Sequence, residues 1–458
     1  MKLEPLKKYS PKPVAILYPG KRYLEVQTAY GLKSARGKRQ IEELLSTITD
    51  HCCFVLDALS GLIHTTGALS WKLNIWKGRE TRAIHIATGL NIMSLRGTLE
   101  PATAWQDLEQ VLLWLSAYGV SPGSIPAMAW SLFRASLPKT YTVSFNPEIG
   151  KAAFFGGRQE INTAGIYKNM QSIDIKAAYP AAMARPEGYA LSLREVQPTT
   201  KLDKSMAGIA YATVLVPEDM PYAPLPIRID TDVIAYQKGT ITGYWPWCEL
   251  AAAESLGAEV SLLQTWAPAR TAELFGPWWP LVAEGRELPG RAGVLAKAIS
   301  NSTWGQFGMA AEGRSLRQFT DDTGKGYLDI PISDHQLPHS WTAHIAAETT
   351  GRVRTQMLLE GIYGGSKPAH IDTDGVIVPS GSHIPGPQDN SPGSWRIKAD
   401  IPLCDSRGPQ LYRWTCPGCG VSHDHWHYNA SGMPEAEAIQ FFNGKNITPI
   451  KINNRAQF

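Results

Sequence analysis

The chain has 458 residues, of which 43% are hydrophobic, so it can bury a sizeable core and exceeds one average domain in length. Lysine and arginine nearly balance aspartate and glutamate, giving a formal net charge of +3, and six cysteines are too few for a disulfide scaffold in such a chain. No apolar run reaches the roughly 18–20 residues that a membrane span needs, and the basic start has no apolar signal core, so we expect a cytoplasmic protein without a membrane partner.

The first forty residues concentrate positive charge. They contain ten Lys or Arg against two acidic residues, so the remainder of the chain is slightly acidic. A basic leading segment suits a polyanionic partner such as nucleic acid. A solvated N-terminal arm without a partner explains the same composition equally well, and both interpretations stand at this point.

Apolar periodicity and turn residues divide the chain into short strands and helices without an internal repeat. This mixture favours an α+β or α/β core. Strands are predicted at residues 14–18, 141–145, 172–175, 209–216, 232–236 and 260–265, and a strand–turn–strand unit at 369–378. Helices are predicted at 105–117, 124–137, 177–184, 249–256 and 341–360 (the last amphipathic), and 281–308 reads as two helices broken at Pro289-Gly290.

Two carboxylates lie one residue apart in Asp372-Thr373-Asp374, between two apolar runs. On a strand, residues two apart share a face, so both side chains can point the same way near a tight turn. Carboxylates that close raise each other's pKa unless a cation lies between them. Mg²⁺ prefers such oxygen ligands, although a solvated turn would also explain the pair.

Two upstream segments add groups that phosphate chemistry requires. Asp174 ends an apolar strand and Tyr179 follows at a turn, so a carboxylate and a ring lie at a strand exit. On one helix Lys297, Asn301 and Trp304 fall at i, i+4 and i+7, so one face presents a cation, an amide and a ring. With the paired carboxylates, these groups indicate phosphoryl transfer.

In these segments the sequence resembles family B DNA polymerases, particularly the compact protein-primed phage type. The resemblance covers about residues 151–412 and rests on four motifs in the family's order. The two palm motifs of the family are similar to Asp174-x-x-Ala-Ala-Tyr179-Pro180 and Asp372-Thr373-Asp374. Its fingers motif is similar to Lys297-x-x-x-Asn301-Ser302-x-Trp304-Gly305, in which Trp304 replaces the usual Tyr. Its Tyr-x-Gly-Gly stretch near the template is similar to Phe155-Gly156-Gly157-Arg158.

The resemblance implies an α+β right-hand polymerase with a family B-type palm, short two-helix fingers, a reduced thumb and an α/β N-terminal domain. The implied domains are a basic, reduced exonuclease-like region at 1–150, the two parts of the palm at 151–280 and 311–400, the fingers at 281–310, and a reduced thumb or zinc-knuckle-like module at 401–458.

The resemblance also implies roles for the motif residues. Asp174 and Asp374 would hold two Mg²⁺ ions, for which Mn²⁺ can substitute, with the Ile175 carbonyl helping and Asp372 in support. The implied nucleotide-binding residues are Ile175, Tyr179 (beneath the sugar), Arg286, Arg291, Lys297 (on the triphosphate), Asn301 and Trp304, with Arg286 slightly favoured over Arg291. The implied DNA-binding residues are Phe155, Gly156, Gly157, Arg158 and Tyr412.

The chain departs from the family where proofreading members carry an exonuclease Asp-x-Glu on a strand. The nearest apolar strand, Phe54-Val55-Leu56-Asp57-Ala58-Leu59, has leucine where the Glu of that motif should be, and Asp107-Leu108-Glu109 lies in a helical pattern that favours a solvated helix face. We therefore expect no proofreading. The family's Lys-x-Tyr near the primer is also incomplete, because Gln410 precedes Leu411-Tyr412; Lys398 or Arg413 is the candidate substitute.

A candidate zinc half-site follows in the C-terminal segment. Cys416-Pro417-Gly418-Cys419 has the spacing of a zinc knuckle, and His423, His425 or His427 can complete a tetrahedron, with Cys404 as a further candidate. A reduced, metal-free turn beside a His-rich loop is the alternative.

The resemblance as a whole implies a template-directed DNA polymerase that extends a primer 3′-hydroxyl or a protein primer, from a phage, plasmid or other mobile element in a bacterial cytoplasm. Its partners would be primed DNA, deoxynucleotides and a terminal protein or accessory replication factor. A self-priming primase-polymerase and a non-catalytic nucleic-acid-binding protein are the alternatives. Retention of all three aspartates and Lys297 argues against the non-catalytic one.

Overall fold

The computed structural model has a mixed α/β fold. It describes residues 2–6, 13–19, 23–36, 38–48, 50–55, 62–65, 68–71, 84–86, 92–94, 99–144, 147–198, 207–230, 233–308, 314–321, 324–331, 342–365, 367–389, 391–409, 411–415, 426–430 and 435–443. No helix within these ranges is long and apolar enough to span a membrane.

The strands are short in the N-terminal part, and the longest ones lie between residues 165 and 408. They are β1 Lys2–Leu3, β2 Val14–Pro19, β3 Tyr23–Thr28, β4 Gly31–Arg36, β5 Cys52–Val55, β6 Leu62–Thr65, β7 Ala68–Trp71, β8 Ile84–Ile86, β9 Ile92–Ser94, β10 Tyr141–Thr142, β11 Arg158–Ile161, β12 Gly165–Ile175, β13 Tyr189–Val196, β14 Ile209–Val216, β15 Pro226–Asp230, β16 Val233–Tyr236, β17 Gly239–Pro246, β18 Glu259–Ala272, β19 Arg314–Asp321, β20 Gly324–Pro331, β21 His370–Thr373, β22 Gly375–Pro379, β23 Trp395–Gly408, β24 Leu411–Thr415 and β25 Trp426–Ala430.

The helices confirm most of the predicted ones to within three residues at each end. They are α1 Lys38–Ser46, α2 Ala104–Ala117, α3 Ile125–Ser136, α4 Pro147–Ala153, α5 Ala178–Met183, α6 Trp247–Ser255, α7 Trp278–Arg286, α8 Gly290–Gly308, α9 Ala343–Gln356 and α10 Glu435–Phe442, with a π-helical turn Met357–Ile362 after α9. The break before α8 falls where predicted, since Gly290 adopts a left-handed φ of 60° that favours glycine.

The chain forms two compact units. The first comprises Met1–Thr142 with Leu274–Trp341, and the second comprises Val143–Glu273 with Thr342–Phe458. The predicted fingers segment thus belongs to the same unit as the N-terminal region. The domain boundary expected at residue 400 falls inside β23, which continues without interruption to Gly408.

A five-stranded sheet organises the start of the first unit. Its order is β4-β3-β2-β5-β9, with β2 antiparallel to β3 and parallel to β5. The central strand confirms the strand predicted at residues 14–18, and its Ala15 and Leu17 are fully buried beside Ile41 of α1. Neither β2 nor β5 contains an aspartate or glutamate, and the Leu56-Asp57 pair lies outside the described residues.

Four helices form the rest of the described core of the first unit. The rings of Trp130, Phe133, Phe275 and Phe307 cluster with centroids 5.0–5.5 Å apart, which ties α3 to the α7–α8 hairpin. Asp107 in α2 is only 6% exposed and accepts a 2.6 Å hydrogen bond from the Thr103 hydroxyl. The expected solvated face is therefore wrong for Asp107, because its carboxylate is buried and bound by a hydroxyl of the same helix end.

Gly285 is the point of closest approach between α7 and α2. A methyl group there would overlap the Trp114 ring, whose Nε1 donates a 3.1 Å hydrogen bond to the Leu281 carbonyl. We expect Gly285→Ala to lower the free energy of unfolding of the first unit by about 1–3 kcal/mol, because overpacking forces backbone or ring to move. Chemical denaturation measures this. Gly165→Ala is the control, since a methyl group there meets nothing within 4 Å; equal losses would contradict the prediction.

The second unit is built on a seven-stranded sheet of order β11-β21-β22-β12-β23-β24-β25, in which every neighbouring pair is antiparallel. The strand predicted at residues 172–175 is the end of the longer β12, which is central because it pairs with both β22 and β23. A second sheet has the order β13-β18-β14-β17. Residues 401–408, 411–415 and 426–430, expected in a thumb or zinc module, extend the first sheet.

The helix predicted at residues 341–360 is present as α9, but the prediction that it is amphipathic is wrong. All residues from 343 to 354 in α9 are buried, and the last turn is π-helical. Its charged residues are tolerated inside because Glu348 and Arg352 pair at 3.1 Å and Arg354 pairs with Glu249 of α6 at 2.7 Å.

Burial also perturbs His344 at the start of α9. Its Nε2 lies 2.9 Å from the Ala190 carbonyl, and desolvation lowers its pKa from 6.5 to about 4. The unfolded chain therefore binds the proton first as the pH falls, so the native state should lose about 3 kcal/mol between pH 6.5 and 4. Urea unfolding at several pH values tests this. His344→Gln should reduce the slope without abolishing it, because burial also lowers the pKa of His370 to about 4; an unchanged slope would contradict the assignment.

Candidate active site

Asp174 lies at the end of β12, in the middle of the seven-stranded sheet. It is opposite Gly375 of β22 on one side and Arg396 of β23 on the other. Its neighbours Ile173 and Ile175 are 1% exposed, so the alternating apolar side chains anchor the strand that carries the carboxylate. The predicted strand exit is confirmed.

The hairpin β21–β22 carries the other two aspartates at its turn. Thr373 has a left-handed φ of 61°, and the Asp374 N–H donates a 2.7 Å hydrogen bond to the Asp372 carbonyl. A positive φ is unusual for a β-branched residue, so the surroundings must hold it in place. Gly157 makes room for it, because a methyl group at Gly157 would lie 2.6 Å from Thr373 Cγ2. The strand–turn–strand prediction is confirmed.

The turn gives the two hairpin carboxylates different neighbours. Asp372 Oδ2 accepts hydrogen bonds from Tyr412 Oη at 3.2 Å and from Asn429 Nδ2 at 3.0 Å. Asp374 lies near Asp174 and Lys398 instead: burial first, and then the Asp174 charge, raise the pKa of Asp374 from 3.8 to about 6, while Lys398 opposes this. Asp174 and Asp374 are therefore the electrostatically coupled pair.

Two cations of β23 balance this negative charge. Arg396 Nε lies 2.8 Å from Asp174 Oδ1, and Lys398 Nζ lies 3.8 Å from Asp174 Oδ2. Both side chains are at least 42% exposed, so each pair is a weak, solvent-screened interaction that a stronger cation can displace. Within the described ranges, no three or more Asp, Glu, His or Cys side chains are grouped as metal ligands in this arrangement.

Tyr179 and the Gly-Gly segment border the same carboxylates. Tyr179 in α5 is half-buried, and desolvation together with the nearby Asp374 charge raises the pKa of its hydroxyl. Arg354 Nη1 donates to the carbonyls of Phe155 and Gly156, each at 2.6 Å. Arg354 thus fixes the backbone just before Gly157, which leads into β11 beside the hairpin.

Arg158 is buried, contrary to what a direct template contact requires. Its side chain is 1% exposed, pairs with Glu160 and lies 4.1 Å from the Tyr236 ring centroid. The Tyr236 ring of β16 lies over its guanidinium, a contact that the sequence pattern did not reveal. Phe155 is buried as well, packed in the core beneath the second sheet.

The predicted nucleotide-binding residues of the fingers segment all lie on the first unit. Lys297 is exposed on α8, Asn301 is half-buried and Trp304 is 8% exposed, so the helical face runs from solvent into the core. Arg286 Nη1 lies 3.2 Å from Ser300 Oγ and 3.5 Å from Asn301 Oδ1, so the hairpin brings it to α8. Arg291 instead pairs with exposed Glu100.

The candidate zinc ligands Cys416, Cys419, His423 and His425 lie outside the described residues. The two other candidates have structural surroundings. The His427 ring stacks on Trp414 with centroids 5.3 Å apart, and Cys404 is buried in β23, where burial raises the pKa of its thiol to about 12.

The chain was compared with models of known protein families and with curated protein sequences. Residues 124–329 match the model of the family described as DNA polymerase type B, organellar and viral. This matched region, a little under half of the chain, is therefore similar to DNA polymerases of type B. No curated protein sequence matches the chain.

The fold of the chain is similar to that of Phi29 DNA polymerase. The structure of the Phi29 enzyme with primer-template DNA has a TM-score of 0.62 and 12% sequence identity, covering 93% of this chain and 94% of that chain. Its ternary complex with primer-template DNA and incoming nucleotides has a TM-score of 0.61 and 12% identity, covering 93% of both chains. At this identity the likeness concerns the fold.

Four residues of the candidate site were not predicted from the sequence: Glu249, Arg354, Arg396 and Asn429. Glu249 stands in an apolar run, Trp247-Cys248-Glu249-Leu250, and a lone charge in such a run is the one signal that could have marked it as buried and paired. The others lie in segments whose patterns give no indication of their partners.

Proposed function

We propose that this polymerase adds deoxynucleotides to a primer 3′-hydroxyl on a DNA template by two-metal phosphoryl transfer, without proofreading. The proposal rests on the electrostatic coupling of Asp174 and Asp374 at the ends of adjacent strands. Among the described residues of β23, two exposed cations, Arg396 and Lys398, supply the counter-charge. A divalent cation neutralises such a pair more strongly than screened side chains do.

The donor set suits Mg²⁺, for which Mn²⁺ can substitute. Asp174, Asp374 and the Ile175 carbonyl would hold the ions, which would lower the pKa of the primer hydroxyl and neutralise the triphosphate. Asp372 supports the pair from the same turn. Tyr179 would lie against the nucleotide sugar, and Lys297 with Arg286 would bind the triphosphate, assisted by Asn301 and Trp304 around the new base pair.

The absence of proofreading is inferred from the first unit. Its central strand β2 and the parallel neighbour β5 offer no carboxylate for a second metal site, and the buried Asp107 carboxylate is hydrogen-bonded to the Thr103 hydroxyl. The sheet is then an exonuclease-like scaffold that serves another purpose.

The partners of this chain are proposed to be primed DNA and deoxynucleotides, in the cytoplasm of a bacterial host. Support comes from the similar Phi29 structures, which hold primer-template DNA and incoming nucleotides. A terminal protein or an accessory replication factor is the proposed further partner, because residues 401–408, 411–415 and 426–430 extend the seven-stranded sheet.

Primer extension with Mg²⁺ tests the proposal. Native protein should extend a primed template, and a mispaired 3′ end on the same template should resist trimming in the absence of nucleotides. Extension on a bare template would favour the self-priming primase-polymerase instead. No incorporation on primed, terminal-protein or bare templates would overturn the proposal in favour of a non-catalytic nucleic-acid-binding protein.

A further inference from the structure

We propose that Asn429, together with Tyr412, is a positioning residue that orients the Asp372 carboxylate within the metal-binding turn; the inference rests on the proposed two-metal function. Both donors reach the same oxygen, Asp372 Oδ2, at 3.0 Å from Asn429 Nδ2 and 3.2 Å from Tyr412 Oη. A charged acceptor strengthens each of these hydrogen bonds, and two donors on one oxygen define the plane of the carboxylate.

The pairing of β24 with β25 produces this geometry. Tyr412 and Asn429 are directly opposite each other in the register, so their side chains share one face of the sheet. The hydrogen bonds therefore join the last strand of the sheet to the turn of the β21–β22 hairpin, from 57 residues away along the chain. Among the described residues of the edge strand β25, Asn429 has the side chain that reaches this turn.

A row of rings holds Tyr412 in place. Its ring centroid lies 4.3 Å from His370 and 5.4 Å from Trp414, and Trp414 in turn stacks on His427. The predicted role of Tyr412 at the primer is thereby changed, because its hydroxyl is engaged with Asp372. The rigid ring row makes Tyr412 a fixed donor, while Asn429 supplies the second one.

As a consequence, the two carboxylates of the turn have different roles. Asp372 is directed toward β24 and β25, which leaves Asp374 to face Asp174. Without the two donors, the Asp372 carboxylate can rotate about its side-chain bonds and disturb the pair beside it. Loss of an outer partner of a metal-site carboxylate typically costs 10–100-fold in metal affinity or activity.

The test compares native protein with Asn429→Ala and Tyr412→Phe. We expect each variant to raise the dissociation constant for Mn²⁺, measured by electron paramagnetic resonance, about tenfold or more. The Mg²⁺ concentration that gives half-maximal primer extension should rise by a similar factor. The maximal rate at saturating Mg²⁺ should fall less. In an Asp372→Asn background, Asn429→Ala should add little, since the charged acceptor is already gone.

Tyr428→Phe is the matched control, because Tyr428 lies on the opposite face of β25, near Phe442. It should leave both metal titrations unchanged. If thermal unfolding shows that Asn429→Ala is not folded, the Tyr412→Phe variant tests the inference, because it keeps the ring and removes one hydroxyl. Native-like Mn²⁺ affinity in the folded variants, or no Mn²⁺ binding by native protein, would overturn the inference. Mn²⁺ binding without any primer extension would instead defeat the proposed function alone.

Discussion

Replacing Asp374 with alanine should lower the rate of nucleotide incorporation by about a thousandfold or more. The carboxylate lies in the turn of the hairpin and is electrostatically coupled to Asp174, so its loss removes a ligand shared by the proposed ions. Metal stabilisation of the transition state is worth several kcal/mol, and each 1.36 kcal/mol corresponds to a factor of ten. Single-turnover extension of a primed template by one nucleotide measures the effect.

Asp389→Ala is the control for this substitution. Asp389 is an exposed aspartate in the loop before β23, where it accepts hydrogen bonds from the backbone N–H and the hydroxyl of Ser391. Its replacement should leave incorporation within twofold of native protein. A rate for Asp374→Ala within tenfold of native, at saturating Mg²⁺ and with a native thermal transition, would contradict the assignment of Asp374 as a metal ligand.

Arg354→Ala should lower the free energy of unfolding of the second unit by about 3–5 kcal/mol. Arg354 is 3% exposed and makes two charged hydrogen bonds to Glu249, at 2.8 and 2.7 Å, besides its bonds to the Phe155 and Gly156 carbonyls. Removing the guanidinium leaves a buried carboxylate without a counter-charge and two carbonyls without this donor. Urea unfolding followed by circular dichroism measures the loss.

Two variants separate burial from simple loss of an ion pair. Arg291→Ala breaks an exposed pair, in which Arg291 and Glu100 are 44% and 56% exposed, and should cost no more than about 1 kcal/mol. The double variant Arg354→Met with Glu249→Leu removes both buried charges and should cost less than Arg354→Ala alone. If Arg354→Ala cost no more than Arg291→Ala, the buried pair would not be the support of the Gly-Gly segment.

The local features of the site could be predicted because they depend on neighbouring residues. The turn at Thr373 lies between two apolar strands, the break before α8 follows from Pro289-Gly290, and α2 and α3 follow the 3.6-residue period. The pattern failed for α9, because a helix buried on all sides has no polar face to mark its orientation. It also misjudged Arg158, whose charge is buried by a strand distant in sequence.

The aspartates, the helix that carries Lys297 and the strands that present the aspartates follow from the residue pattern, since spacing and turn chemistry act over a few residues. Their surroundings depend on long-range packing. Arg354 meets Glu249 across 105 residues and Arg396 meets Asp174 across 222. Asn429 reaches Asp372 because β25 adds to the edge of the sheet. Such partners are selected by the packing of whole strands and helices, and a single chain's residue pattern carries no record of which distant side chains that packing brings together.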